Sequence, residues 1–413
     1  MRTVLGTQTA LDGALLDRMR EAGDPPADAV ATALCERGAH RIVADLIRDR
    51  QMWDPDGEPS RLLPEDIRSY MKQASTLPSW RDQSAIAEAE SFFLRYGLAS
   101  ATLLACASLP ECYVMKYGTE VLAYTRFLQV DTTRRVRETA QMVMDVMCPR
   151  GLEPGGRGLR ATMKVRVMHA IVRHMILHDP HARPNPADPG LRAQFGCPVN
   201  QEDMAYTLMT FSYVVVRGLE TMGYTMATRE RDAYIHCWNV VGYLMGIREE
   251  LLPARFDDAR ELFTAIQRRQ HGRSEPGRKL TAALLKSLED AVPGRLHDPM
   301  PAALMRRLIG HETADALGVP RATGLTRLRL AAVLGTWAVA AAVLRRMYRD
   351  RPFRFASEQL HKAILIRMGR MHGVAFDIPP EFVARWFPEH AGGRRWEVGP
   401  RAKGKGPRRA KGS

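Results

Sequence analysis

Apolar residues recur at helical spacing along almost the whole of this chain, and no stretch alternates apolar and polar as a half-buried strand requires. The pattern predicts helices over 28–50, 83–95, 98–107, 134–147, 160–177, 201–222, 228–244, 256–268, 279–290 and 353–371. Breakers punctuate it. "CPRGLEPGGRG" (148–158) separates two helices, and "DPHARPNPADPG" (179–190), with four prolines, must be an extended loop. In "VNQED", Asn200 is placed to cap the next helix, with Asp203 at its third position. No internal repeat of fixed period is visible. The expected fold is all-α: a single large helical domain over 28–390, an N-terminal extension over 1–27, and a disordered basic tail over 391–413.

Charge separates the tail from the body. The last twenty residues, "RRWEVGPRAKGKGPRRAKGS", hold eight Lys/Arg and one Glu, half of the net charge of +14. They carry almost nothing apolar to bury. One aromatic, Trp396, and no base-reading module argue against specific nucleic-acid recognition. Six scattered cysteines form neither a disulfide framework nor a zinc knuckle. The first residues lack an apolar run of signal-peptide length, so the expected location is the cytoplasm. The longest apolar run, 330–344, falls short of the ~20 residues a membrane span needs and reads as a buried core helix.

The chemically informative stretch is "KVRVMHAIVRHMILH", 164–178. His169 lies among Val, Met and Ile, with Arg166 three residues before and Arg173 four after, all within reach of one helical face. No Asp or Glu lies between Arg160 and His178. The guanidinium groups need anionic partners, because burying unpaired charge is costly. Two sources are open: carboxylates from other helices, or a ligand. A haem fits the second, its iron taking a neutral imidazole and its propionates taking guanidinium forks. A separate pair, His174 and His178, has i, i+4 spacing that suits a non-haem metal, although no HExxH acid accompanies it. On "RRVRETAQMVMDVM" (134–147), Arg135 and Thr139 face together one turn apart, beside an apolar stripe of Val136, Ala140, Val143 and Met147.

These elements carry a resemblance. "RRVRETAQ…VMDVM", "GLEPGGRGLRATMKVRVMHAIVRH" and "PVNQEDMAYTLMTFSYVV…GL" occur in that order. "LPSW…FFLRYGL…ASLPECY" (77–113), "YIHCWNVVGYLMGIREELLP" (234–253) and "MRRLIGHETADALGVP" (305–320) flank them. Together they resemble the latex-clearing rubber oxygenases and the mycophenolic-acid-pathway oxygenase over roughly 77–320. The resemblance implies a globin-like helical core holding haem b, with His169 as the proximal iron ligand. It implies Arg135, Arg166 and Arg173 near the propionates or bracing the His helix, and Thr139 near the haem edge. Latex-clearing proteins have a lysine before that threonine; this chain has Glu138, either a distal base or an outward-facing residue. Glu120 in "YGTEVLAYT" is a candidate for the family's upstream catalytic glutamate. The implied reaction uses O2 to cleave a carbon–carbon double bond of a small apolar, isoprenoid-like or specialised substrate. A non-catalytic haem carrier or sensor of the same fold is the alternative. Oligomeric state is not readable from the residues.

Overall fold

The computed structural model describes residues 13–36, 53–54, 57–124, 132–178, 196–291, 299–348, 376–377 and 397–398. Among the described residues, sixteen helices of six residues or more follow in chain order. They begin with α1 (Gly13–Glu21), α2 (Pro25–Glu36), α3 (Glu65–Ala74) and α4 (Gln83–Leu103), then α5 (Leu109–Val114) and α6 (Lys116–Tyr124). The hairpin α7 (Thr132–Met147) and α8 (Arg157–His178) follows, then α9 (Gln201–Phe211), α10 (Tyr213–Thr221) and α11 (Thr228–Leu244). The last are α12 (Phe256–Gln270), α13 (Glu275–Ala291), α14 (Pro299–Ile309), α15 (His311–Ala316) and α16 (Gly324–Tyr348). The one ladder among the described residues is a two-residue antiparallel pair, Phe376 with Val398 and Asp377 with Glu397. No single described helix is long and apolar enough to cross a membrane.

Local chemistry explains the helix limits. The Asp82 carboxylate accepts from the Ser84 and Ala85 N–H groups and opens α4. Asn200 caps α9 as its spacing foretold, accepting from the Asp203 N–H at 2.8 Å. Two expected helices have different joints. The stretches 83–95 and 98–107 run together as α4 and pass into a π turn, Leu104–Ser108, where the Ser108 hydroxyl donates to the Thr210 carbonyl at 2.5 Å. The stretch 201–222 instead splits at Ser212, whose hydroxyl bonds back to the Leu208 carbonyl at 3.1 Å and favours a bend. The expected loop 179–190 and helix 353–371 lie outside the described residues. So does the basic tail, apart from Glu397–Val398.

The core is one contiguous body. At its centre α4 packs along α11, with Phe92, Tyr96, Tyr234 and Trp238 buried between them. Two expectations change. Residues of the supposed N-terminal extension belong to this body: Leu16 and Met19 of α1 are buried, and Arg20 pairs with Glu202 of α9 at 2.7 Å. The sequence predicts a buried core helix over the apolar run 330–344; of its described side chains, Leu330 is buried, whereas Val333 and Val339 are exposed, because among the described helices α14 packs along one side of α16.

Candidate active site around the His169 helix

The α7–α8 hairpin sets the position of His169. The two helices touch backbone to backbone at Gly158, where a Cβ would fall 2.6 Å from the Val146 Cα; only glycine fits there. Arg157 Nε binds the buried Asp145 carboxylate at 3.0 Å beside this crossing. Arg135 on α7 and His169 on α8 each lie eleven residues, about 16 Å, along their helix from this crossing. Helical spacing puts His169 on the stripe that begins at Gly158 and runs through Thr162 and Val165. The ring is half-buried. Val136 and Ala140 of α7, with Ile171 of α8, add apolar surface packed against the core.

Arg166 and Arg173 reach toward the start of α2. Arg166 forms a two-pronged pair with Asp24, Nε to Oδ2 at 2.6 Å and Nη2 to Oδ1 at 2.8 Å. Arg173 pairs with Asp28 and donates Nε to the Pro198 carbonyl at 2.9 Å and Nη2 to the Val199 carbonyl at 2.6 Å. Burial pushes the Asp28 carboxyl up, although Arg173 pulls against it. Of the two open sources of counter-charge, protein carboxylates meet both arginines here: Asp24 just before α2 and Asp28 in its first turn. In this geometry the two arginines brace the helix.

A buried polar hub seats this brace. Gln201, at the first position of α9, donates to the Gly23 and Gly246 carbonyls, both at 2.9 Å, and accepts from the Arg248 N–H. Gly246 has φ +80°, and a Cβ there would lie 2.4 Å from Asp24 Oδ2. Glu202, fully buried, receives Arg20 and Arg269, and Asp203 accepts from Gln270 Nε2 at 2.9 Å. Sequence reasoning missed Asp24, Asp28 and Gln201. The Asp-Pro-Pro opening of α2 marked a helix start there, but nothing in it pointed to Arg166.

Glu120 is half-buried on α6, and burial raises its carboxyl above the ordinary range. Glu138 is exposed on α7, whereas Thr139 is half-buried beside Ala140. Helix α13 packs on both α6 and α7, and α7 packs on α8. Glu120, Thr139 and His169 therefore sit on helices linked side by side. His174 and His178 stack at 4.0 Å between ring centroids, His174 Nδ1 lies 3.2 Å from the Thr32 hydroxyl, and His178 Nδ1 donates to the His174 carbonyl. Among the described residues no three of His, Cys, Asp and Glu cluster as a metal site, so this pair gains no third ligand there.

Residues 90–346 match the family described as ER-bound oxygenase mpaB/B'/Rubber oxygenase, catalytic domain. The chain belongs to that family, and its class is that of an oxygenase. One relative is the rubber oxygenase of Streptomyces sp. (strain K30), 26% identical over 367 residues, 86% of this chain and 85% of that protein. Among solved structures, the latex clearing protein LCP in the closed state superposes with a TM-score of 0.71 at 23% identity, over 91% of this chain and 97% of the other. That similarity is one of fold.

Proposed function

We propose that this protein is a haem b-dependent oxygenase that cleaves a carbon–carbon double bond of a small apolar substrate. The carrying observation is the half-buried imidazole of His169 on the apolar helix α8, which packs against α7 in an oxygenase-family fold. The donor set fits a porphyrin. A single imidazole without a surrounding cluster holds iron well only when the remaining in-plane ligands come from a macrocycle. When bound, haem would supply the iron that activates O2.

The chain's residues have separable tasks. His169 would ligate the iron from α8. The braced α8 would keep the imidazole at a set height against α7, and the apolar seam would exclude water. Thr139 offers a hydroxyl on α7, the helix packed against α8, with Arg135 one turn away in sequence. Glu120, its carboxyl raised by burial, would take an allylic proton from the substrate and return it in product formation. The overall balance is one alkene plus O2 giving two carbonyl products. Exposed Glu138 has no task in this scheme. The six free cysteines suit a reducing compartment, which supports a cytoplasmic setting.

The test is the absorption spectrum of the purified full chain after haem loading. A stoichiometric Soret band lost or displaced in His169→Ala, and kept in His174→Ala/His178→Ala, is the expected result. An unchanged band in His169→Ala rejects His169 as the ligand. Haem binding without O2 consumption across a panel of isoprenoid alkenes would leave a carrier or sensor.

A further inference from the structure

The strongest unassigned feature is the pair of carboxylates that capture the two arginines of the His169 helix. Asp24 is buried and pairs with Arg166 through both oxygens. Asp28 accepts from the Asp24 N–H at 3.0 Å and also pairs with Arg173. The turn that carries them is held from three directions. Gln201 grips the Gly23 carbonyl, Gly246 abuts the Asp24–Arg166 pair, and the Thr32 hydroxyl on α2 meets His174 further along α8. The family match begins at residue 90, so it assigns nothing to this turn.

Arg166 and Arg173 flank His169 by three and four residues, one turn of helix on either side. Fixing both fixes the rotation and height of the segment between them, and thereby where the imidazole stands. Arg173 adds a second constraint. It holds the carbonyl of Val199, whose φ of +51° is a strained conformation for a β-branched residue. Strain of that kind persists only where the surroundings over-determine it. The whole assembly is a clamp with its jaws at 166 and 173 and its ligand between them.

We propose that Asp24 and Asp28 are positioning residues for the iron ligand, acting through Arg166 and Arg173 to set the His169 imidazole against the haem. The inference rests on the reading of His169 as that ligand. Partners one step removed from a metal ligand commonly change metal affinity 10–100-fold when removed.

The experiment uses the full chain loaded with haem, in wild type, Asp24→Asn, Asp28→Asn, the double variant, Asp24→Glu and Glu111→Gln. Two quantities are read: the rate of haem transfer to excess apomyoglobin, and the iron–histidine stretching band of the ferrous protein by resonance Raman. Each Asp→Asn change should speed haem loss about tenfold and shift or broaden the band, with the double variant worse. Asp24→Glu should recover part of both. Glu111, buried and bonded to Arg217, Tyr206 and Gln267 away from the clamp, is the control. Glu111→Gln should lower thermal stability and leave haem loss and the band unchanged. Asp variants with wild-type haem loss and band overturn the proposal, as does a Glu111→Gln variant that moves both equally. A wild type without a His169-dependent band removes the ligand reading itself, and the two failures are thereby told apart.

Discussion

Arg166 and Asp24 lie 142 residues apart in the chain, yet their side chains meet as a two-pronged ion pair at 2.6 and 2.8 Å, both largely buried. Removing one member leaves the other charged and desolvated. Asp24→Ala should cost about 3 kcal/mol in urea unfolding. Replacing both, as Asp24→Leu with Arg166→Met, should recover most of that, since the pair's Coulomb gain is largely offset by its desolvation. A double variant no more stable than Asp24→Ala would show that the geometry of the pair, and not its charge balance, carries the stability.

Two helix-closing glycines separate conformation from crowding. Gly246 (φ +80°) and Gly318 (φ +70°) both end a helix, each followed by a bond from the next N–H back across the turn, Ile247 to the Gly242 carbonyl and Val319 to the Ala314 carbonyl. A Cβ at 246 would strike Asp24 and Arg166 at 2.4 and 2.7 Å, whereas one at 318 would meet only the flexible end of Arg278 at 3.1 Å. Gly318→Ala should cost about 1–2 kcal/mol, mostly the backbone penalty. Gly246→Ala should cost at least twice that and loosen the clamp, which chemical denaturation of the two variants will compare.

Glu90 makes stability depend on pH. Burial pushes its carboxyl up to about 7, against the hydrogen bond it accepts from the Arg150 N–H, with Glu153 adding to the rise. The folded pKa exceeds the unfolded value of 4.5. Its favourable contribution is therefore fully present below about 4.5 and lost as pH rises to about 7. Glu90→Gln, which keeps an acceptor for Arg150, should gain about 1–2 kcal/mol at pH 8 after discounting for partial exposure, and nothing at pH 4.5. Parallel unfolding curves at the two pH values decide it.

Glu120 and Glu138 should differ sharply in turnover. General-base catalysis contributes typically 10²–10⁴-fold, so Glu120→Gln should lower the rate of alkene cleavage by about two orders of magnitude with the Soret band intact. Exposed Glu138→Gln should stay within about threefold of wild type. Oxygen uptake with a fixed alkene measures both, and a Glu138→Gln variant as impaired as Glu120→Gln would reassign the base.

The stacked histidines give an acid limit. Burial lowers the His174 pKa, and the neighbouring His178 lowers it further. A depressed folded pKa means stability present above the unfolded value of 6.5 and lost as pH falls below it. His178→Gln should reduce that acid loss in thermal melts between pH 7 and 5.

What the sequence by itself determined is everything local or ordered along the chain. Helicity follows from 3.6-residue periodicity, the start of α9 from Asn200 and Asp203 three residues apart, the family from motifs in register, and the candidacy of His169 from an imidazole on an apolar helix between two cations. Tertiary structure alone decided who answers those cations. An ion pair across 142 residues has no local signature, because its partners are brought together by the packing of α2 against α8 and not by the spacing of either. The same holds for the exposed side of α16. Composition made α16 look buried, but burial depends on which neighbours arrive, and a helix's own residues do not specify them.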